Sequence, residues 1–200
     1  MHLSPELPYS KACDNNRDPI HEHLTRHLVQ PGKLLELGSG TGQHAVYFSS
    51  ALPHITWQTS DRAINHAGIN VWIDQCGPTN VRPPIALDIY EDALPNDIDY
   101  MFTANTFHII AWTGVCLLLE KAGAALPANG KLMVYGPFNY NGQFTSDSNA
   151  QFDAHLKSQN PEQGIRDIEA VCAQAKAHGL ALIEDNAMPA NNRLLVFRRA

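Results

Sequence analysis

The stretch Leu34-Leu35-Glu36-Leu37-Gly38-Ser39-Gly40-Thr41-Gly42 decides the fold. It is an apolar run that ends in three alternate glycines. Gln43 to Leu52 then reads as a helix, with Ala45, Val46 and Phe48 inward and Pro53 as its stop. Glycines let the backbone take positive φ and come close to a ligand. The helix that follows leaves backbone N–H groups without partners at its start. A turn that only reverses the chain needs fewer glycines than this. The dinucleotide motif G-x-G-x-x-G is met at Gly38 and Gly40, but its third glycine position holds Gln43. A nicotinamide-dependent oxidoreductase is therefore disfavoured. A P-loop is excluded, because no G-K-[ST] follows.

Upstream, residues 1–16 have the composition of an irregular lead-in. Asp18-Pro19 reads as a helix start, with Asp as cap and Pro at the first helical position. That helix is expected to bury Ile20, Leu24, Leu28 and Val29 and to stop at Pro31-Gly32, before a strand at Lys33–Leu37.

Downstream, strands are expected at Ile55–Thr59, Val81–Leu87, Ile98–Ala104 and Lys131–Tyr135. Pro83-Pro84 confines the second of these to a strand start or a sheet edge. Helices are expected at 62–76, with Ile64, Ile69, Trp72 and Ile73 as the apolar side, and at 111–125. Residues 136–149 have turn composition, and a loop of that length is usually functional or mobile. Helices near 149–158 and 165–178 precede a terminal hairpin, Leu180–Ile183 with Leu194–Phe197. The alternation predicts an α/β fold in one domain over 1–200, a doubly wound, mostly parallel sheet covered on both faces. Ligands of such sheets bind beyond the carboxyl ends of the strands.

The 200 residues carry 14 basic and 20 acidic side chains, a balance of −6, which argues against a large nucleic-acid footprint. An apolar fraction of 44% with 17% charged residues excludes a wholly disordered chain. Cys13, Cys76, Cys116 and Cys172 make no C-x-x-C, so neither a disulfide framework nor a cysteine zinc site is expected, and a reducing cytoplasm fits best. The start, Met1 to Glu6, lacks a basic end followed by an apolar run, so no secretory signal is expected. No apolar stretch approaches the ~20 residues that span a bilayer, and no membrane role is expected.

The strand, E-x-G-x-G-x-G and helix arrangement resembles motif I of class I S-adenosylmethionine-dependent methyltransferases. Asp61 at the end of the second strand, Asp88 after the third and the closing hairpin follow that family's order over roughly residues 17–200. The resemblance implies a Rossmann-like, seven-stranded, mostly parallel sheet with an antiparallel terminal strand. Gly40-Thr41-Gly42-Gln43-His44-Ala45, Tyr135-Gly136-Pro137-Phe138, Met188-Pro189-Ala190-Asn191-Asn192 and Asn16-Arg17-Asp18-Pro19-Ile20 together look like a small methyltransferase-like family of unknown substrate. The cofactor implied is S-adenosylmethionine. It would be held by Glu36, Gly38, Ser39, Gly40, Gly42 and Asp61, with Asp88 near the adenine and Asn105 at the same rim. A carboxylate such as Asp61 accepts hydrogen bonds from adjacent ribose hydroxyls. Its plainer role is to cap the 62–76 helix.

Methyl transfer from a sulfonium mostly requires positioning of the acceptor. A base is needed only where the acceptor loses a proton. Asn105-Thr106-Phe107-His108 stands where amino-methylating nucleic-acid enzymes resemble [DN]-P-P-[YF], which is absent here. His108 is the candidate general base, since imidazole titrates near neutrality. Arg17, His44, His108, Phe138, Tyr140 and Asn191 are the candidate acceptor pocket. Phe138, Tyr140 and Phe144 form either an apolar lid or ordinary core packing. His23 and His27 lie one turn apart, but no H-E-x-x-H occurs, and the helix's wet face explains them without a metal. The expected activity is methyl transfer to a small-molecule acceptor, not to nucleic acid. The alternative is a protein that binds S-adenosylmethionine or S-adenosylhomocysteine without transferring a methyl group.

Overall fold

A computed structural model describes residues 6–200; Met1–Pro5, part of the expected lead-in and start, lie outside the described residues. The chain forms two compact units, one ending at Asp88 and one beginning at Ile89.

In the first unit, α1 (Lys11–His27) precedes β1 (Gly32–Leu37), α2 (Gln43–Ala51), β2 (Ile55–Asp61), a 3-10 turn (Ala63–Asn65), α3 (His66–Cys76) and β3 (Val81–Ala86). β1 and β2 are parallel, in register from Gly32 opposite Ile55 to Leu37 opposite Ser60. β2 and β3 are parallel as well. Leu34, Leu35, Phe48, Ile55, Trp57 and Ile69 are fully buried. The near-continuous apolar run in β1 is what a strand covered on both faces requires.

The lead-in is shorter than its composition suggests. α1 begins at Lys11, capped by the Ser10 hydroxyl, which accepts from the Cys13 N–H at 3.4 Å, and Pro19 lies inside the helix. A mid-helix proline loses one backbone hydrogen bond and normally costs ~3 kcal/mol. Here tertiary bonds hold the turn that leads into it: Asn16 to His44, and Asp18 to Tyr47. Two expected core residues are corrected. Val29 lies past the helix end and is 62% exposed. Ile64 is 83% exposed, because the tighter 3-10 turn puts it out of phase with the α-helix that follows.

The second unit contains β4 (Tyr100–Ala104), α4 (Trp112–Ala125), β5 (Lys131–Gly136), β6 (Phe138–Asn139), α5 (Asp147–Gln159), β7 (Arg166–Asp167), α6 (Ile168–Ala177), β8 (Leu180–Met188) and β9 (Asn192–Arg199). β4 and β5 are parallel, while β9 runs antiparallel to both β5 and β8. Between β8 and β9 the chain turns through Pro189–Asn191, with Ala190 and Asn191 at positive φ. The loop after β5 is more ordered than its turn composition implies. β6 pairs in parallel with β7, and Tyr140 bridges Gln143.

Within the first unit the hydrogen-bonded strand order is β3-β2-β1, and within the second it is β4-β5-β9-β8. β3 is an edge strand, which explains how it tolerates Pro83 and Pro84. No helix among the described residues is long and apolar enough to cross a membrane.

Candidate functional site

The glycine loop leaves β1 at Leu37, beside the end of β2. Gly38 and Ser39 both donate their N–H groups to the Ser60 carbonyl, at 3.1 and 3.0 Å, and the Ser39 hydroxyl accepts from the Ser60 N–H at 3.1 Å. Gly38, Gly40 and Gly42 all have positive φ. Two of these glycines matter for different reasons. A Cβ on Gly40 would meet nothing within 4 Å, so this part of the loop faces open space. A Cβ on Gly42 would lie 3.1 Å from the Ile69 Cα, so this glycine permits close packing of the loop on α3.

Asp61 closes the loop. Its Oδ2 accepts the Gly40 N–H at 2.7 Å, and its Oδ1 accepts from the Arg62 N–H at 2.7 Å and Asn65 Nδ2 at 2.8 Å. An ionised carboxylate offers roughly four lone-pair positions. Three are taken, which leaves one on Oδ2 for a ligand hydroxyl. Asp88 lies beyond β3, half-buried.

Glu36 is 2% exposed, near the end of β1. It accepts a hydrogen bond from Trp57 Nε1 at 3.2 Å. Burial raises its pKa to about 7, against the lowering effect of hydrogen bonds from Trp57 and Ser39.

Arg17 and His44 do come together. With Cys13, Gln43, Tyr47 and Trp72 they line a cavity of about 390 Å³. Neither side chain is idle. Arg17 Nη1 pairs with Asp14 at 3.0 Å, and its guanidinium lies 4.9 Å from the centre of the Tyr47 ring. His44 Nε2 bonds Asn16 Oδ1 at 2.7 Å, its ring also bonds the Cys13 backbone, and it stacks on Phe48 at 5.1 Å. Burial lowers the His44 pKa to about 4. Sequence reasoning missed Gln43 as a structural residue. Its Oε1 accepts from the Ser10 N–H and from the Thr41 hydroxyl, tying the start of α1 to the glycine loop. Trp72 Nε1 donates to the Pro8 carbonyl at 2.7 Å and fastens the same segment to α3. Nothing in the local sequence signals either bond.

In the second unit, Asn105 follows β4 in the left-handed region at φ 58° and donates its N–H to the Tyr135 carbonyl at 2.8 Å. His108 is 5% exposed. Its ring packs edge-on against Phe152 at 5.3 Å and lies beside Gly136. Burial, with a smaller contribution from the Arg166 charge, lowers its pKa to about 4 and keeps the imidazole neutral near pH 7.

The lid reading fails for Phe138, which is 0% exposed and packs edge-on against Phe107 at 6.3 Å. Tyr140 is also committed elsewhere. Its hydroxyl donates to Asp185 at 2.7 Å, beneath Arg193, and burial pushes its pKa up. Phe144 is exposed. Asn191 is exposed, and its carbonyl accepts from Asn149 Nδ2 at 3.2 Å. Among the described residues, no cluster of three or more His, Cys, Asp or Glu side chains is arranged to hold a metal, and all four cysteines are free.

Methyltransferases are among the solved structures of similar fold. The S-adenosylmethionine-dependent methyltransferase SibL in its apo form is 20% identical, with a TM-score of 0.79 over 94% of this chain and 55% of that one. The mitomycin 7-O-methyltransferase MmcR is 14% identical, with a TM-score of 0.82 over 94% of this chain and 54% of that one. Human N-acetylserotonin methyltransferase in complex with SAM is 16% identical, with a TM-score of 0.74 over 92% of this chain and 55% of that one. The chain spans about half the length of these proteins. The likeness shows a class I S-adenosylmethionine-dependent methyltransferase fold. Over residues 7–199 the sequence matches the family described as "Protein of unknown function (DUF938)", and the chain belongs to that family.

Proposed function

We propose that this protein is a methyltransferase that uses S-adenosylmethionine and acts on a small-molecule acceptor. The observation that carries this reading is the glycine loop: a positive-φ backbone open at Gly40 and anchored to the Asp61 carboxylate. When bound, the cofactor supplies a methyl group on a sulfonium centre. The loop from Gly38 to Gly42 admits its close approach, Asp61 Oδ2 accepts from a ribose hydroxyl, and Glu36 supports the amino-acid end. Asp88 and Asn105 complete the proposed cofactor set. Arg17 and His44 border the cavity on α1 and α2 and are assigned to the acceptor.

His108 is assigned as the proton acceptor for an acceptor group that must lose a proton. Its imidazole is neutral near pH 7, the form that accepts a proton, and its lowered pKa makes it a weaker base than an ordinary histidine. The dinucleotide reading loses further ground, because the buried Gln43 side chain fills the place where that motif needs glycine. A binder without transferase activity is the second reading, favoured by the near-complete burial of His108.

Calorimetry with S-adenosylmethionine, S-adenosylhomocysteine and NAD tests the proposal. Binding of the sulfur cofactors but not NAD is expected. Absence of sulfur-cofactor binding at millimolar concentration sinks it. A metabolite screen for methyl acceptors then separates enzyme from binder.

A further inference from the structure

The loop that carries His108 is held by one segment from elsewhere in its unit. The Gly164 N–H donates to the His108 carbonyl at 3.0 Å. Arg166 Nε donates to the Phe107 carbonyl at 2.9 Å, and Arg166 Nη2 donates to the Ile110 carbonyl at 2.5 Å. Gln163 Nε2 donates to the Ile109 carbonyl at 3.1 Å. Four consecutive carbonyls, from Phe107 to Ile110, are thus each satisfied by residues 163–166. On the inner side of the turn, the Ile109 and Ile110 N–H groups both donate to the Thr106 carbonyl.

The clamping segment is itself fixed. Arg166 Nη2 also donates to the Glu162 carbonyl at 2.8 Å. The Ile165 N–H donates to Asp153 Oδ1 at 2.8 Å, and Asp153 pairs with Lys157 at 2.6 Å. At Gly164, φ is +149°, and a Cβ would lie 2.9 Å from both Asp153 Oδ1 and Lys157 Cε, so the bend admits only glycine. A planar guanidinium suits this work, since its fork of donors reaches separate carbonyls at once and stays charged. A surface arginine with no such task would point into solvent, where its charge is hydrated.

We propose that Arg166 is a positioning residue: it locks the backbone on both sides of His108, so that the imidazole keeps its place between Phe152 and Gly136 for its work on the methyl acceptor. The functional half of this inference rests on the assignment of His108 made above. The groups around the ring are Phe152 from α5 and Gly136 from β5, which carry no charge, and Arg166 from β7, which does. The acid next along α5, Asp153, is engaged by Lys157.

The test uses Arg166→Gln and Arg166→Lys in the full chain, with three readouts on each: amide exchange at Ile109 and Ile110, NMR titration of the His108 ring, and calorimetry with S-adenosylmethionine. In Arg166→Gln, exchange at both amides is expected to accelerate by about tenfold or more. The His108 midpoint should rise above about 4 by the smaller share that Arg166 contributes, with burial still holding it below 6.5. Arg166→Lys keeps the charge but not the fork, so it should accelerate exchange while leaving the midpoint low. That variant also serves if Arg166→Gln does not fold.

Exchange within twofold of the parent in a folded variant overturns the clamp. So does a drop in melting temperature with no change at the His108 ring. Absence of cofactor binding by the parent protein overturns the methyltransferase reading instead, and with it the catalytic purpose of the clamp. Unchanged exchange with cofactor binding intact removes the clamp alone.

Discussion

The Gly40 N–H donates to Asp61 Oδ2 at 2.7 Å, so the open turn after β1 and the acid that ends β2 act as one element. The carboxylate holds the loop in shape with three of its roughly four lone-pair positions, and under the proposed function the fourth would serve the ligand. The proposed function would therefore couple loop shape and ligand recognition through one side chain.

Asp61→Ala removes both functions. Charge-assisted hydrogen bonds contribute about 1.5–3 kcal/mol each, so affinity for S-adenosylmethionine should fall by roughly one to two powers of ten. Asp61→Asn retains one acceptor oxygen and should lose less. Calorimetry on both variants decides the matter, and unchanged affinity in Asp61→Ala would remove this residue from the site.

Glu36 and His44 should give pH dependences of opposite sign. The Glu36 pKa rises from an ordinary 4.5 to about 7 on folding, so the folded state binds the extra proton between those values. Stability contributed at the acid end is lost as pH climbs through that window. At roughly 1.4 kcal/mol per unit, the effect is a few kcal/mol. The His44 pKa falls from 6.5 to about 4, so here the unfolded state binds the extra proton and stability rises with pH across that window. Melting temperatures from pH 4 to 8 should show Glu36→Gln losing the falling component and His44→Gln losing the rising one. Parallel curves for all three proteins would contradict both assignments.

Phe138→Ala tests core against lid. Loss of a fully buried phenylalanine costs about 3–5 kcal/mol, whereas a lid residue costs little stability. A large drop in melting temperature is expected. A stable variant with altered ligand affinity would restore the lid.

His108→Gln should reduce turnover on an acceptor that loses a proton by about 10² to 10⁴, with cofactor affinity little changed. The comparison needs an acceptor from the metabolite screen, then kinetics and calorimetry side by side. Equal loss of both quantities would assign His108 a structural role.

The fold was readable because its signals are local. The apolar run at Leu34–Leu37, the glycines after it and the alternation of strand and helix patterns follow from backbone sterics and burial periodicity alone. Pro83-Pro84 limited their strand to a strand start or a sheet edge, since proline cannot serve a ladder on both sides, and β3 is an edge strand. The same local logic misplaced the start of α1. Asp18-Pro19 has the composition of a helix start, yet Ser10 is the cap, and the early turns persist because Asn16 and Asp18 find partners on α2.

The candidate site divides along the same line. Gly38, Gly40 and Gly42 take positive φ, and Glu36 and Asp61 stand near the ends of paired strands, features of backbone conformation and register that the sequence pattern encodes. What each remaining side chain is free to do depends on partners distant in the chain. Phe138 and Tyr140 look alike in a turn-rich loop, but one is sealed in the core and the other is spent on Asp185. His44 and His108 look like bases, and burial lowers the pKa of both. Arg166 gave no signal at all, because its meaning lies in carbonyls 56 and 59 residues away. Desolvation and hydrogen-bond pairing are set by the folded surroundings, so these roles exist only once the chain has folded.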